Sequence, residues 1–502
     1  MSRCLRTALA AAVAVTALPL AAAVQAGAAE RTEAPRAAAG AKRAKSLVIG
    51  IDGATFGKFD AARMPTIDGL RADGLTAPGN LYAPPMAPTS SGPGWSTIVT
   101  GVWPDKHKVV DNSFNGSDFA RYPDYGTRLE AANPALNTLV VGTWGPITSQ
   151  VFGPAADTRI AGADDADTTA RAAAKLAGTD ADATFVHLDE VDGAGHDHGA
   201  ASPRYREALE TADSQVSRLL TAVTSRPTYP DEDWLIIIAA DHGHTDGGGH
   251  GGSSPGERET FVIAKGAGIT PGSVRHDVKI ADIAPTVLAH AGVTAYPAWQ
   301  LDGKPISALK PDAFDALRPS LRTRVDETGL PSTVKGWTDT APAGWSVDNS
   351  AMPAGGVTEW RGWSFATDRF WTNTQLGQGR ETNVRARDVF AVADSDEWDD
   401  KAHGAGQFDS TLISPAYPVT GGTRATVSYA SHYKVDGPQT GDVYISYDGG
   451  APRLLKSYRS DVNTVERLTV DVPAGVTSAR LRFRYTGTNS AFWTVDQVTV
   501  AR

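Results

Sequence analysis

Short apolar runs recur along the first part of the chain, separated by longer amphipathic stretches. The runs are Leu47–Ile51, Thr138–Val141, Thr184–Leu188, Leu235–Ala240 and Phe261–Ala264. Each is continuous rather than alternating, the pattern of a strand covered on both faces, as in a parallel sheet. Between two of them, Ser202-Pro203 supplies a cap and a first-turn proline. Tyr205, Leu209, Ala212, Val216, Leu219, Leu220 and Val223 follow at helical spacing and predict a helix. A second helix is predicted near Ile280–Ala291. Strands alternating with helices predict an α/β domain over residues 46–311, its mostly parallel sheet flanked by helices.

Near Gly336 the period changes. Ala425–Tyr429, Asp442–Tyr447, Leu468–Val472, Ala479–Tyr485 and Phe492–Val500 read as alternating strands, with turn residues such as Tyr447-Asp448-Gly449-Gly450 between them. Residues 336–502 therefore predict an antiparallel, jelly-roll-like β-sandwich, with 312–335 as the linker. Trp360, Trp363, Trp371, Trp398 and Trp493 fall in this half. Such aromatics fill a sandwich core or stack on a carbohydrate or other cell-surface ligand, and the core reading is favoured. Asp394, Asp396, Asp399 and Asp400 read as a solvated acidic loop rather than a Ca²⁺ site.

The N-terminus has a different grammar. Arg3 and Arg6 precede an Ala/Val/Leu run from Thr7 to Val24, and small residues at Ala26-Gly27-Ala28 close it. Residues 1–28 thus read as a secretory signal peptide and 29–45 as a disordered leader, so the mature chain is expected to be secreted. The run is short and Ala-rich for a membrane span, and no later stretch is long enough for one. The only cysteine, Cys4, lies in the signal, so no disulfide is expected in the mature chain. A formal net charge of −10 argues against tracking along a nucleic-acid backbone, but leaves room for a small phosphate-ester substrate.

Chemistry gathers at the ends of the predicted strands. Leu47–Ile51 ends at Asp52-Gly53. Thr184–Leu188 leads into Asp189-Glu190-Val191-Asp192, with His196 beyond, and Leu235–Ala240 ends at Asp241-His242-Gly243-His244, with His250 beyond. One aspartate after a strand is an ordinary cap or turn former. Three such sites on one open sheet fit the rule that ligands bind outside the carboxyl ends of strands. Carboxylate with imidazole suits Zn²⁺ or another divalent metal. The stretch Pro88-Thr89-Ser90-Ser91-Gly92-Pro93-Gly94-Trp95 opens an apolar helix. A hydroxyl there meets backbone N–H groups and the positive end of the helix dipole, which favours bound phosphate.

The order Asp52, Ser91-Gly92-Pro93, Asp192-x-x-x-His196, Asp241-His242-Gly243, His250 resembles the alkaline phosphatase superfamily, and within it the type I phosphodiesterase/nucleotide pyrophosphatase family. The resemblance covers Ser46 to Ile306, including Ile280–Leu288 and the Leu301-Asp302-Gly303-Lys304-Pro305 turn. It implies an alkaline-phosphatase-like fold, a phosphoric ester hydrolase with a phosphoseryl intermediate, and two divalent ions of the Zn²⁺ kind. Asp52, Asp241, His242 and the Ser91 oxygen would hold one ion; Asp192, His196 and His250 would hold the other. Ser91 would be the nucleophile and Asn112 would bind a phosphoryl oxygen. His244 is a near rival of His250 and His276 a distant one; the glycines around His250 favour it, since they let the backbone come close to a metal.

The chain departs from the family pattern in places. The branch usually places threonine after lysine where Ser91 follows Ser90. Sulfatases carry arginine where Trp95 stands, which argues against a sulfatase. The monoesterase branch adds an arginine or a further metal, and no such arginine is identifiable, so diesters are favoured over monoesters. His187, Asp189, His198 and His244 read as supporting or structural residues near the site.

Overall fold

In the computed structural model, residues 42–178 and 180–502 are described; the signal peptide and most of the leader read from the sequence lie outside the described residues. Eight strands form the first sheet: β1 (Arg43–Ile51), β2 (Leu75–Asn80), β3 (Thr138–Gly142), β4 (Thr158–Ala161), β5 (Ala183–Leu188), β6 (Glu232–Ala239), β7 (Glu259–Lys265) and β8 (Ser273–Val274). Their order is β4-β3-β5-β1-β6-β7-β2-β8. The first five run parallel, β7 turns against β6 and β2 against β7. β1, the central strand, is buried from Lys45 to Ile51, which is why its sequence shows no alternation. It starts inside the stretch assigned to the leader. Lys45 explains the correction: its fully buried ammonium is held by Asp180 at 2.8 Å and Asp182 at 3.1 Å.

Helices cover both faces. The Pro203–Thr224 helix opens as its cap predicts, with the Ser202 side chain accepting from Tyr205 N. Tyr205, Leu209, Ala212, Val216, Leu219 and Val223 are buried with the odd side chains of β1 in one core layer. The Ser91–Thr100 helix, buried at every position, lies in the opposite layer with Ile283–His290.

The C-terminal part holds two antiparallel sheets. One runs in the order Val462–Asp471, Arg424–Tyr433, Phe492–Ala501, Val389–Asp394, Ser364–Thr367, Lys335–Thr338, Arg322–Thr323. The other runs Ser346–Asp348, Phe408–Ile413, Ser478–Gly487, Thr440–Tyr447, Arg453–Tyr458, with Tyr417–Pro418 also on Ser478–Gly487. They close over one shared core, where the Trp493 ring lies 5.8 Å from that of Phe483 on the opposite sheet. Trp360, Trp363, Trp371, Trp398 and Trp493 are all 0–1% exposed, so none offers a face to a sugar. Asp394 corrects the reading of a solvated loop: it is fully buried, bound by Arg380 at 3.1 Å and the Trp371 indole at 2.9 Å. The stretch marked as a linker places Phe314, Leu317, Leu321 and Leu330 in the sandwich core.

Arg43–Arg502 is one compact unit, and ion pairs fasten the sandwich to the α/β sheet. Arg387 grips Asp282 through two guanidinium nitrogens at 2.7 and 2.9 Å. The same carboxylate accepts from Lys279 N and Lys304 N. Arg385 reaches Asp105 at 2.8 Å and Asp302 at 3.1 Å. Removing one partner of a buried pair strands the other charge, at a cost of about 3–5 kcal/mol. Arg387→Met should therefore lower the calorimetric unfolding temperature by several degrees, and Asp282→Asn added to it should recover part of the loss. An unchanged transition in the single variant would show that the pair contributes nothing to stability.

Candidate metal centre

β5, β1 and β6 are neighbours in the sheet, so the residues that follow their C-terminal ends converge. Asp52 follows β1 directly. Asp192 and His196 lie four residues apart, on one face of the Glu190–His198 helix that follows β5. Asp241 and His242 follow β6, and the glycine-rich segment beyond brings back His250. Ser91 is the first residue of the Ser91–Thr100 helix, set over the same edge.

Two buried carboxylates define the inner half of the site. Asp52 and Asp241 are 1% and 0% exposed. Asp52 Oδ2 accepts from the Trp95 indole at 2.9 Å and lies 2.9 Å from His187 Nε2. Asp241 Oδ1 accepts from Gly53 N at 3.2 Å. Their other oxygens, Asp52 Oδ1 and Asp241 Oδ2, are buried with no hydrogen-bond partner. Each lies 3.4 Å from His242 Nε2, and so does Ser91 Oγ. His242 uses its other ring nitrogen on Gly243 O at 3.1 Å, which leaves a lone pair on Nε2. A buried polar atom without a partner is costly. Two unpartnered carboxylate oxygens converging with an imidazole lone pair and a hydroxyl make an acceptor-rich pocket, which a divalent cation fits.

Electrostatics agree. Burial pushes the Asp241 carboxyl well above the usual range, and the charges of Asp52 and Asp192 push it further. Asp52 is also raised by burial, but its bond with His187, the His242 charge and the Trp95 indole bring it below the ordinary value. His242 is pushed down to about 4, by burial first and then by His250, so it is neutral and free to bind a metal.

The outer half is more open. His250 Nε2 lies 3.0 Å from His196 Nε2 and 3.4 Å from Asp192 Oδ1. Asp192 Oδ2 lies 3.4 Å from His196 Nε2, and the His196 side chain is 49% exposed. His250 is aimed by its Nδ1, 2.7 Å from Thr89 O, so the segment before the serine holds the histidine loop in place. Thr89 Oγ1 also accepts from Gly251 N and donates to Gly252 O. Asn112 Oδ1 accepts from Gly92 N at 2.7 Å, which keeps the amide beside the helix N-terminus.

The eight residues predicted from the sequence, Asp52, Ser91, Asn112, Asp192, His196, Asp241, His242 and His250, thus share one site. His276 lies in a different cavity. His244 belongs to the centre, with Nε2 2.8 Å from Asp192 Oδ1, and Asp192, His242, His244 and His250 form one group able to hold a metal. Trp95 and Thr89 were not singled out as supports; their bonds cross 43 and 161 residues of sequence, and no local pattern reports them. Glycine makes the packing feasible. Gly53 has φ +65°, and a Cβ there would stand 2.7 Å from His244 Nε2; at Gly94 it would stand 2.7 Å from Asp241 O.

A helix-flanked, largely parallel sheet with a carboxylate–imidazole centre and a serine at a helix N-terminus defines an alkaline-phosphatase-like protein. A family model described as type I phosphodiesterase / nucleotide pyrophosphatase matches residues 46–151 and 121–382, and the chain belongs to this family. GPI ethanolamine phosphate transferase 1 of Chaetomium globosum is 29% identical over 147 residues, 25% of this chain and 16% of that protein. The enzyme of the same name from Mus musculus is 32% identical over 130 residues, 22% of this chain and 14% of its own length. The chain thus spans less than a fifth of these relatives. Among solved structures, murine ectonucleotide pyrophosphatase / phosphodiesterase 5 is 14% identical, with a TM-score of 0.40 over 50% of this chain and 96% of that one. Phosphonate monoester hydrolase of Agrobacterium radiobacter is 16% identical, with a TM-score of 0.41 over 54% and 78%.

Partners that orient a ligating carboxylate typically carry about 10–100-fold of metal affinity. Trp95→Phe keeps the ring and removes the N–H, so it should weaken divalent-metal binding in chelator competition by that order while the fold is retained. Unchanged affinity would mean that the Trp95 bond does not aim Asp52.

Proposed function

We propose that this protein is a secreted phosphoric ester hydrolase that prefers diesters, with two Zn²⁺ ions and Ser91 as its nucleophile. The observation that carries the reading is the pair of unpartnered buried oxygens on Asp52 and Asp241, both facing His242 Nε2 within reach of Ser91 Oγ. Asp52, Asp241, His242 and Ser91 would hold one ion; Asp192, His196 and His250 would hold the other. Ions held by these residues would supply positive charge that lowers the pKa of a nearby hydroxyl and stabilises the charge of an in-line displacement. Secretion rests on the apolar run and small residues before residue 29.

The residues divide the work. Ser91 Oγ attacks the phosphorus of the diester, takes the phosphoryl group with one ester still attached and releases the other alcohol, which receives the proton; water then cleaves the seryl–phosphorus bond and frees the phosphate monoester, restoring the serine hydroxyl. Ser91 starts a ten-residue helix, so its backbone N–H and the dipole face the charge that builds on the phosphoryl oxygens. Asn112 spends its oxygen on Gly92 N, which leaves its NH₂ for a phosphoryl oxygen. Burial of the inner half excludes competing water, and the exposed His196 edge leaves room for varied alcohols. Trp95, where a sulfatase carries arginine, is committed to Asp52.

The names of the curated relatives favour one variant of this chemistry. They are ethanolamine phosphate transferases, and the same serine would serve a transferase if an alcohol rather than water took the phosphoryl group. One assay separates the readings. The zinc-loaded protein is given bis-p-nitrophenyl phosphate, p-nitrophenyl phosphate and p-nitrophenyl sulfate, each with and without an added alcohol. The diester should turn over fastest with water as acceptor, and Ser91→Ala should retain metal while losing at least about a thousandfold in turnover. Preferential capture by the alcohol would favour the transferase, and a fully active Ser91→Ala would sink the serine assignment.

A further inference from the structure

A cavity of about 570 Å³ opens beside the junction of the α/β sheet with the sandwich, and none of the eight metal-centre residues lines it. Its walls come from the ends of β2 and β7, the segment before Ile280, and residues 333–335, 367–373 and 386–390. Five cationic side chains line it against three carboxylates. The carboxylates are engaged: Asp368 by Asn80 at 2.9 Å and Arg258 at 3.3 Å, Asp388 by Arg318 at 2.5 Å, and Glu259 by Gly57 N at 2.8 Å. The excess positive charge is therefore not neutralised from within.

Lys279 is the focus. Its side chain lines the cavity and the residue is 8% exposed. Among the described residues its ammonium makes no hydrogen bond or ion pair, whereas the neighbouring Arg258 and Arg387 are both bound. Burial pushes the Lys279 ammonium below its ordinary value, and the charge of Asp368 only partly offsets it. His276 also lines the cavity, and the exposed Lys335 and Arg369 stand at its rim, likewise without hydrogen-bond partners among the described residues. A buried ammonium with only distant counter-charges and no direct ion pair is expensive. Ammonium and guanidinium groups together recognise tetrahedral oxyanions.

We propose that this cavity is a second anion site, which binds a phosphate- or sulfate-type oxyanion on Lys279, with Arg369 and Lys335 at the entrance. The volume is that of a small-molecule site, so the oxyanion can be free or carried on a small organic group. The site does not depend on the chemistry assigned to Ser91, and its ligand need not be the substrate.

Crystals of the zinc-loaded protein soaked in tungstate, an anomalously scattering oxyanion, test the site directly. Density within hydrogen-bond reach of Lys279 Nζ is expected, and it should vanish in Lys279→Met. Arg369→Gln, at the exposed rim, guards against a folding defect in the first variant: it should weaken tungstate binding in calorimetry several-fold, with diester hydrolysis unchanged. Competition identifies the oxyanion, since stronger displacement by inorganic phosphate marks a phosphate site and stronger displacement by sulfate marks a sulfate site. Tungstate found only at the metal centre in the wild-type protein would overturn the proposal.

Discussion

Asp52 and Asp241 meet in a place where neither can reach water. Each has one oxygen tied to the protein, by Trp95 and His187 in one case and Gly53 N in the other, and one oxygen left bare. Like charges this close repel strongly at low effective dielectric, and the raised Asp241 carboxyl is the direct consequence. Much of the surrounding architecture holds this unfavourable arrangement in place. β1 and β6 are paired over eight registered positions, which fixes how far apart the two aspartates emerge. The fully buried serine helix presses on Asp241 through Gly94, where any side chain would collide. A rigid scaffold is what lets a strained constellation persist.

The sandwich enters the same logic through Asp282. Its carboxylate ties the start of the Ile283–His290 helix to the Lys304 turn and receives Arg387 from the sandwich side. Ile283–Leu288 packs in the core layer that holds Trp95 and Ile98 of the serine helix. The docking latch and the serine helix are therefore coupled through contiguous packing. A buried ion pair is weak evidence for stability by itself; here its geometric role is to fix which face of the sandwich meets the sheet.

The inner parallel strands β1, β3, β5 and β6 were legible because burial on both faces writes a continuous apolar run, and Asp52, Asp192, Asp241 and His242 because they follow those runs within a few residues; the parallel edge strand β4, alternately half-buried and exposed, was not. β2 was not legible. Pro78 and Gly79 suppress any strand reading, yet Pro78 pairs with Phe261 of β7 in a region where β8, paired only at Leu75 and Thr76, has already ended. Proline is tolerated where one side of a strand has no neighbour. In the sandwich, the long strands from Arg424 onward announced themselves, whereas the stretch from Lys335 to Ile413 is cut into strands of three to six residues by turns and 3₁₀ segments. Lys45 and Asp394 were misread for one reason: a charged residue looks solvent-facing until its buried partner, distant in sequence, is known.

The supports of the metal centre escaped the sequence on the same principle, and they bear on specificity. Trp95 stands where a sulfatase uses arginine, so a sequence comparison sees a loss, while the structure shows the indole performing a different task, the fixing of Asp52. His187 shares that task from β5. His244 approaches Asp192 more closely than either His196 or His250 does. The inner half is therefore held through two independent donors to one carboxylate oxygen, whereas the outer half leaves His196 half exposed with freedom to adjust. That asymmetry would serve the chemistry proposed for Ser91, in which the attacking oxygen must be placed closely while the leaving side admits different alcohols.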